Sequence, residues 1–200
     1  MSWSRTAWDF VRYARVVRFM AEYAPLAPDY LSTSFGRTES NDFDAIQTCV
    51  LFIGIGRSGT TLIGSLLDAH PNMVVANEQG VLKYLRPISF SREQLFQLLL
   101  RNSVRAHEEG RPGGGGYHYA VPGQWQGRYE RIHVIGDKTR SAQTVEWLHS
   151  RPELLEKLAA TARAKIRLLH VIRNPFDTIA RRSMRRRQPL ERMAREYIGL

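Results

Sequence analysis

Arg57, Ser58, Thr60 and Thr61 place one guanidinium and three hydroxyls around Gly59. An apolar, β-branched run, Val50–Ile55, precedes them, and a helix is predicted from about Thr60 to Ala69. A strand–loop–helix unit of this kind can hold a phosphate. The loop's backbone N–H groups point at the anion, and the helix N-terminus adds about half a positive charge. Gly59 lets the backbone come close, and the hydroxyls can donate to anion oxygens. Against the nucleoside-triphosphate pattern GxxxxGK(S/T), Gly54–Thr61 reads GIGRSGTT. Thr61 fits, but Thr60 stands where a lysine would reach the β- and γ-phosphates. The loop's only cation is Arg57. A cradle without that lysine points to a nucleotide that is not a triphosphate. The plainer alternative is a Gly/Ser/Thr turn between a strand and a helix.

Other candidates fall where strands should end. Glu78 follows a short apolar strand, Met73–Ala76. Lys138 follows a strand at Ile132–Ile135, and Arg173 follows one at Ile166–Ile172. Ligands of parallel α/β sheets bind at such carboxyl ends. A first-turn helix glutamate and a surface lysine are the plainer readings of Glu78 and Lys138. His70 lies at the far end of the loop's helix, which favours a capping or core role. The histidines and single cysteine form no metal-ligand spacing, so no metal site is predicted.

Three segments resemble one family. GRSGTTLIGSLLDAHP (Gly56–Pro71) is similar to the 5′-phosphosulfate loop of the sulfotransferases, of the tyrosylprotein type and the bacterial family related to it. IGDKTRSAQT (Ile135–Thr144) is similar to that bacterial family's middle motif. LLHVIRNPFDTIARRSMRR (Leu168–Arg186) resembles the strand and helix that bind the 3′-phosphate. The resemblance implies 3′-phosphoadenylyl sulfate (PAPS) as sulfuryl donor, no metal, and a P-loop-like parallel sheet flanked by helices. It implies that Arg57, Ser58, Gly59, Thr60 and Thr61 hold the 5′-phosphosulfate, with Arg57 also stabilising charge on the transferring group. Glu78 aligns with the catalytic glutamate, a general base. Lys138 would neutralise the leaving phosphate or the sulfonate, and Arg173 would grip the 3′-phosphate. The family's Ser or Thr eight residues after that arginine is Arg181 here, with Ser183 two further on. Either could serve the 3′-phosphate. Asn77, Gln79 and Gly80 depart from the tyrosylprotein pattern, so a protein tyrosine is a weaker expectation than a general hydroxyl or amine acceptor on a small molecule, glycan or peptide.

The elements that must position these residues are readable from periodicity. Leu62, Leu66 and Leu67 are the predicted buried face of the first helix. Arg92–Arg105 reads as a helix capped by Ser91, with Leu95, Leu98 and Leu99 inward. Glu108–Gly116 reads as a flexible loop, Tyr117–Tyr129 as irregular, and Glu153–Ala164 as a helix. Pro175 opens a helix to about Arg187. Strands alternating with helices predict a mainly parallel sheet.

Composition bounds the rest. Two hundred residues, 43% hydrophobic, suffice for one α/β domain with a real core. That domain is placed at residues 46–200, after an N-terminal helix and connector over 1–45. Trp8–Phe19 alternates apolar residues with arginines, a basic amphipathic helix that packs on the domain or touches a membrane surface. Pro25–Asp44 reads as the connector. No apolar run reaches the roughly 18 residues of a membrane span, and a cytoplasmic protein is expected. The chain stops within a predicted helix at Glu196–Leu200, whereas family members usually continue; a fragment, a short natural form and an inactive product all fit. The net charge of +10 fits an anionic ligand. A nucleotide kinase or NTPase, and a basic phosphate-binding module without catalysis, are the alternatives; much of the excess charge lies at Arg5–Arg18 and Arg173–Arg195, and the overlap of the second with the proposed nucleotide site favours a small anionic ligand there over nucleic acid.

Overall fold

The computed structural model describes residues 23–35, 43–86, 90–113, 116–139 and 142–199. They belong to two compact units divided after Arg37. In the first, a 3-10 turn at Ala24–Leu26 leads into helix α1, Ala27–Phe35. A connector was expected over this stretch. Pro25 and Pro28 instead stand in first helical turns, where their missing N–H is no loss. The hydroxyls of Ser32, Thr33 and Ser34 donate to the carbonyls of Asp29 and Tyr30, which hides the helix from a search for apolar periodicity. The Trp8–Phe19 segment lies outside the described residues.

The second unit is built on four strands: β1, Thr48–Ile53; β2, Met73–Asn77; β3, Val134–Lys138; and β4, Lys165–His170. Their order is β2-β3-β1-β4 and every neighbouring pair is parallel. The sheet therefore has the α/β architecture that the alternation of elements predicts. The connecting helices are α2, Thr60–Asp68; α3, Arg92–Glu108; α4, Gln143–Ser150; and α5, Glu153–Ala162. A 3-10 turn covers Val81–Leu85, and α6, Pro175–Arg186, and α7, Leu190–Ile198, follow the last strand. Ser91 caps α3 through a reciprocal capping box with Gln94. Leu95, Leu98 and Leu99 are buried as expected.

The described structure corrects three local expectations. Leu62 and Leu66 of α2 are half exposed, not buried. The helix instead turns Gly64, Ser65 and Asp68 inward, with Ile63 and Leu67 packing on Val50, Phe52 and Val75. Small residues face the sheet because α2 runs close to it: a Cβ on Gly64 would lie 3.3 Å from Cβ of Lys138. The third strand runs on to Lys138, not to Ile135, so Asp137 and Lys138 are its last residues. Arg111, inside the supposed flexible loop, is among the most buried side chains of the unit.

That arginine closes one edge of the sheet. Among the described residues the outer edge of β2 has no strand beside it. Val75 there gives its N–H to Asp68 Oδ1 at 2.6 Å and its carbonyl accepts from Arg111 Nη2 at 2.8 Å. Arg111 Nη1 also pairs with Asp68 Oδ2, and Ser103 donates to the same carboxylate. Asn77 N–H donates to Asn102 Oδ1 at 2.6 Å. Side chains thus take the hydrogen bonds that a fifth strand would make. The opposite edge, β4, pairs among the described residues with β1 alone and is largely exposed along its length.

Cys49 lies in the middle of this sheet, opposite Ile135 and Ile166 and fully buried. Burial, with Asp137 adding to it, pushes its thiol up from 9.0 to about 12. An acid whose folded pKa exceeds its unfolded one favours the unfolded state as pH rises between the two values. Stability is therefore expected to decline from about pH 9 upward. At neutral pH, iodoacetamide should label Cys49 only at the rate of global unfolding, which mass spectrometry across a urea series will show.

Candidate active site

The strand order builds the site. Because β1 lies between β3 and β4, the loop leaving β1 at residues 54–59 opens between the carboxyl ends of those two strands. On the β4 side the approach is close: a Cβ on Gly54 would lie 3.1 Å from the Val171 carbonyl.

Within the loop, Arg57 and Gly59 adopt left-handed backbone, φ 80° and 103°. For arginine this costs about 1–2 kcal/mol. Gly59 is the N-cap of α2, no side chain caps that helix, and a Cβ on Gly59 would meet nothing within 4 Å. The start of α2 therefore carries no side-chain cap, and the space beside Gly59 is open. Beside them Ser58 is only 9% exposed and its hydroxyl has no hydrogen-bond partner. A buried hydroxyl left unpaired beside an uncapped helix start fits the oxygen of a bound anion. Thr60 and Thr61 are half-buried in the first turn.

On the other side stand Glu78 and Lys138. Glu78 is the first residue after β2, and its N–H donates to the Lys138 carbonyl at 2.7 Å. Its side chain is joined to the same residue, Lys138 Nζ donating to Glu78 Oε1 at 2.7 Å. Lys138 is 3% exposed and Glu78 about one-third exposed, so the pair presents a carboxylate to solvent over a buried ammonium. The plainer expectation of a surface lysine does not hold. Burial lowers the lysine's pKa, and the Glu78 carboxylate opposes that effect. Glu78 itself has φ 64°, again left-handed.

Arg173, three residues past β4, is held by Asp177: Nη2 and Nε donate to Oδ2 at 2.6 and 3.1 Å. It borders a cleft of about 340 Å³ whose walls include Gly54, Ser58, Val145, Ile172 and Tyr197. The cleft joins the β1 loop to Arg173, with apolar surface between. Arg181 is exposed on α6 and does not border it. Ser183 spends its hydroxyl on the Gln188 carbonyl at 2.5 Å. The α6 side chain that does border the cleft is Thr178, which sequence reasoning passed over. His70 accepts the Asn72 N–H on Nδ1, a turn-closing contact remote from the loop. Among the described residues no group of His, Cys, Asp or Glu could hold a metal, and no helix is long and apolar enough to cross a membrane.

A family model described as the sulfotransferase family matches residues 50–198, from β1 through α7. The chain belongs to the sulfotransferase family. A search of curated proteins finds no match. The matched span of this sulfotransferase-family chain contains the β1 loop, Glu78, Lys138, Arg173 and the cleft, so the geometry above lies wholly within the family domain. Members of the family generally use PAPS. Besides Thr178, Asp137 and the Asp68–Arg111 pair have no role assigned from the sequence. A carboxylate directly ahead of Lys138 was visible as a signal for Asp137. Nothing in the sequence ties Asp68 to a residue 43 positions away.

Proposed function

We propose that the protein transfers a sulfuryl group from PAPS to a hydroxyl or amine acceptor. The observation that carries this reading is the buried Lys138 ammonium, 2.7 Å from the Glu78 carboxylate, at the same sheet end as a phosphate-type loop that lacks the triphosphate lysine. In this reading the loop N–H groups and the hydroxyls of Ser58, Thr60 and Thr61 hold the 5′-phosphosulfate. Ser58 fits that task because its buried hydroxyl has no protein partner. Arg57 stabilises charge on the transferring oxygens. Arg173 meets the 3′-phosphate with its guanidinium fork, already oriented by Asp177. Arg181, on α6 but outside the cleft walls, is a second candidate for that phosphate.

The reaction breaks the bond between sulfur and the bridging phosphate oxygen and forms one to the acceptor atom. Adenosine 3′,5′-bisphosphate leaves, and the acceptor's proton passes to Glu78. Lys138 holds Glu78 in place and balances negative charge nearby. No protein residue becomes covalently attached.

Calorimetric titration with adenosine 3′,5′-bisphosphate, beside AMP and ATP–Mg²⁺, tests the donor site. Tight, selective binding of the bisphosphate is expected, weakened about 10–100-fold by Arg173→Ala and by Arg57→Ala, the loss of a charge-assisted hydrogen bond in each case. Equal binding of all three nucleotides would overturn the reading.

A further inference from the structure

Glu78 sits in a backbone conformation that a glutamate rarely adopts, and something must impose it. The chain leaves β2 through four residues, 78 to 81, two of them left-handed: Glu78 at φ 64° and Gly80 at φ 73°. Facing this turn is Asp137, fully buried in the next strand. Its Oδ1 accepts the Gln79 N–H at 3.2 Å and its Oδ2 the Val81 N–H at 2.7 Å. The Thr139 hydroxyl donates to Oδ2 at 3.3 Å. Donors from the turn thus converge on one carboxylate, much as N–H groups converge on a bound anion.

We propose that Asp137 is a positioning residue: its carboxylate shapes the 78–81 turn and thereby fixes Glu78 against Lys138. The inference rests on the reading of Glu78 as the acceptor's base. It goes beyond it by naming what holds that base in place. The geometry is economical in parts. Asp137 and Lys138 are consecutive on β3; the first takes the main chain after Glu78, the second takes Glu78 by both its N–H and its side chain. Gly80 completes the turn. Its φ of 73° suits glycine, so a side chain there would be strained by the backbone rather than by its neighbours, the nearest of which, Trp147 of α4, lies at ordinary contact distance. Burial alone would push the Asp137 carboxyl up, and the turn's N–H groups oppose that. An asparagine in its place keeps the shape but turns an N–H₂ toward backbone donors, so one side of the turn loses its acceptor.

The test is Asp137→Asn made in the wild-type and in the Glu78→Gln backgrounds. Three quantities are read: amide exchange at Gln79 and Val81, affinity for adenosine 3′,5′-bisphosphate, and kcat for PAPS with 2-naphthol as probe acceptor. Exchange at both amides should accelerate while bisphosphate affinity stays within about 2-fold. The kcat should fall by about 10²-fold in the wild-type background, the cost of misplacing a reacting group by about 1 Å. In the Glu78→Gln background it should barely change further. Equal losses in both backgrounds, unchanged amide exchange, or a parallel loss of bisphosphate affinity would overturn the inference. Should Asp137→Asn fail to fold, Thr139→Val removes one donor to the same carboxylate, and the same non-additivity with Glu78→Gln is expected on a smaller scale. A fully active Glu78→Gln enzyme overturns the base reading instead. Positioning then stands or falls on the amide exchange, which needs no acceptor.

Discussion

Replacing Arg111 with alanine is expected to lower the free energy of unfolding by about 3–5 kcal/mol. The guanidinium and the Asp68 carboxylate bury each other almost completely. Removing one leaves the other as an uncompensated charge in the interior, and Val75 loses its carbonyl partner at the sheet edge. Urea unfolding should show the loss as a lower midpoint at unchanged slope. The sign of its pH dependence follows from Asp68. Burial already raises that carboxyl, and Arg111 is the first of the groups pulling it back down. Without Arg111 it rises further. A carboxyl raised in the folded state contributes stability below its unfolded pKa and loses it as pH rises through the folded value. The variant should therefore lose less near about pH 5 than near about pH 8. The double variant Asp68→Leu, Arg111→Met should recover part of the loss because no lone charge remains. It should not recover all of it, since Val75 then lacks both edge partners.

Lys138→Met is expected to separate stability from catalysis. The side chain is buried, and a methionine of similar length places no charge there. Folding should be preserved or modestly improved, because burying an ammonium is itself costly. Turnover of PAPS with a phenol acceptor should fall by about 10²–10³-fold, the usual cost of removing one charge-stabilising donor. Thermal melting and kcat measured on the same preparation decide it. A stable, fully active Lys138→Met protein would remove the ammonium from the mechanism.

The parts of this molecule that were legible in the sequence are those encoded within about a dozen residues. The β1 loop, the capped start of α3 at Ser91 and the proline that opens α6 each carry their cause in local residue types. What was not legible depends on distant partners. The side of α2 that faces the sheet is chosen by how close Lys138 lies to Gly64, so counting leucines picks Leu62 and Leu66, which are exposed. The octapeptide of α4, QTVEWLHS, is too short for its apolar residues Val145, Trp147 and Leu148 to show a repeated helical period. Lys138 reads as a solvent lysine until β3 is seen to run three residues further than its apolar run, drawing Asp137 and Lys138 inside. For the candidate site the carboxyl-end positions of Glu78, Lys138 and Arg173 could be foreseen from strand placement. The contact between Glu78 and Lys138, and the turn that creates it, required the register of β2 against β3, in which Asn77 pairs with Lys138.

The two borders of the sheet are chemically unlike. Along β2 the peptide groups at Val75 and Asn77 are already spoken for by Asp68, Arg111 and Asn102. At the two ends of the β1–β4 pairing, the Lys165 N–H donates to the Gln47 carbonyl and the Val171 N–H to the Ile53 carbonyl. By the alternation of a parallel ladder, the N–H groups of Ile166, Leu168 and His170 point the other way. Assembly by strand addition is thus polar: one border is terminated, the other is a template. Among the described residues, β4 is the border that leaves N–H groups for a further strand, whether from the same polypeptide or from a neighbouring molecule in a concentrated solution. Self-association of this protein should accordingly respond to charges introduced on β4 and ignore those introduced on β2.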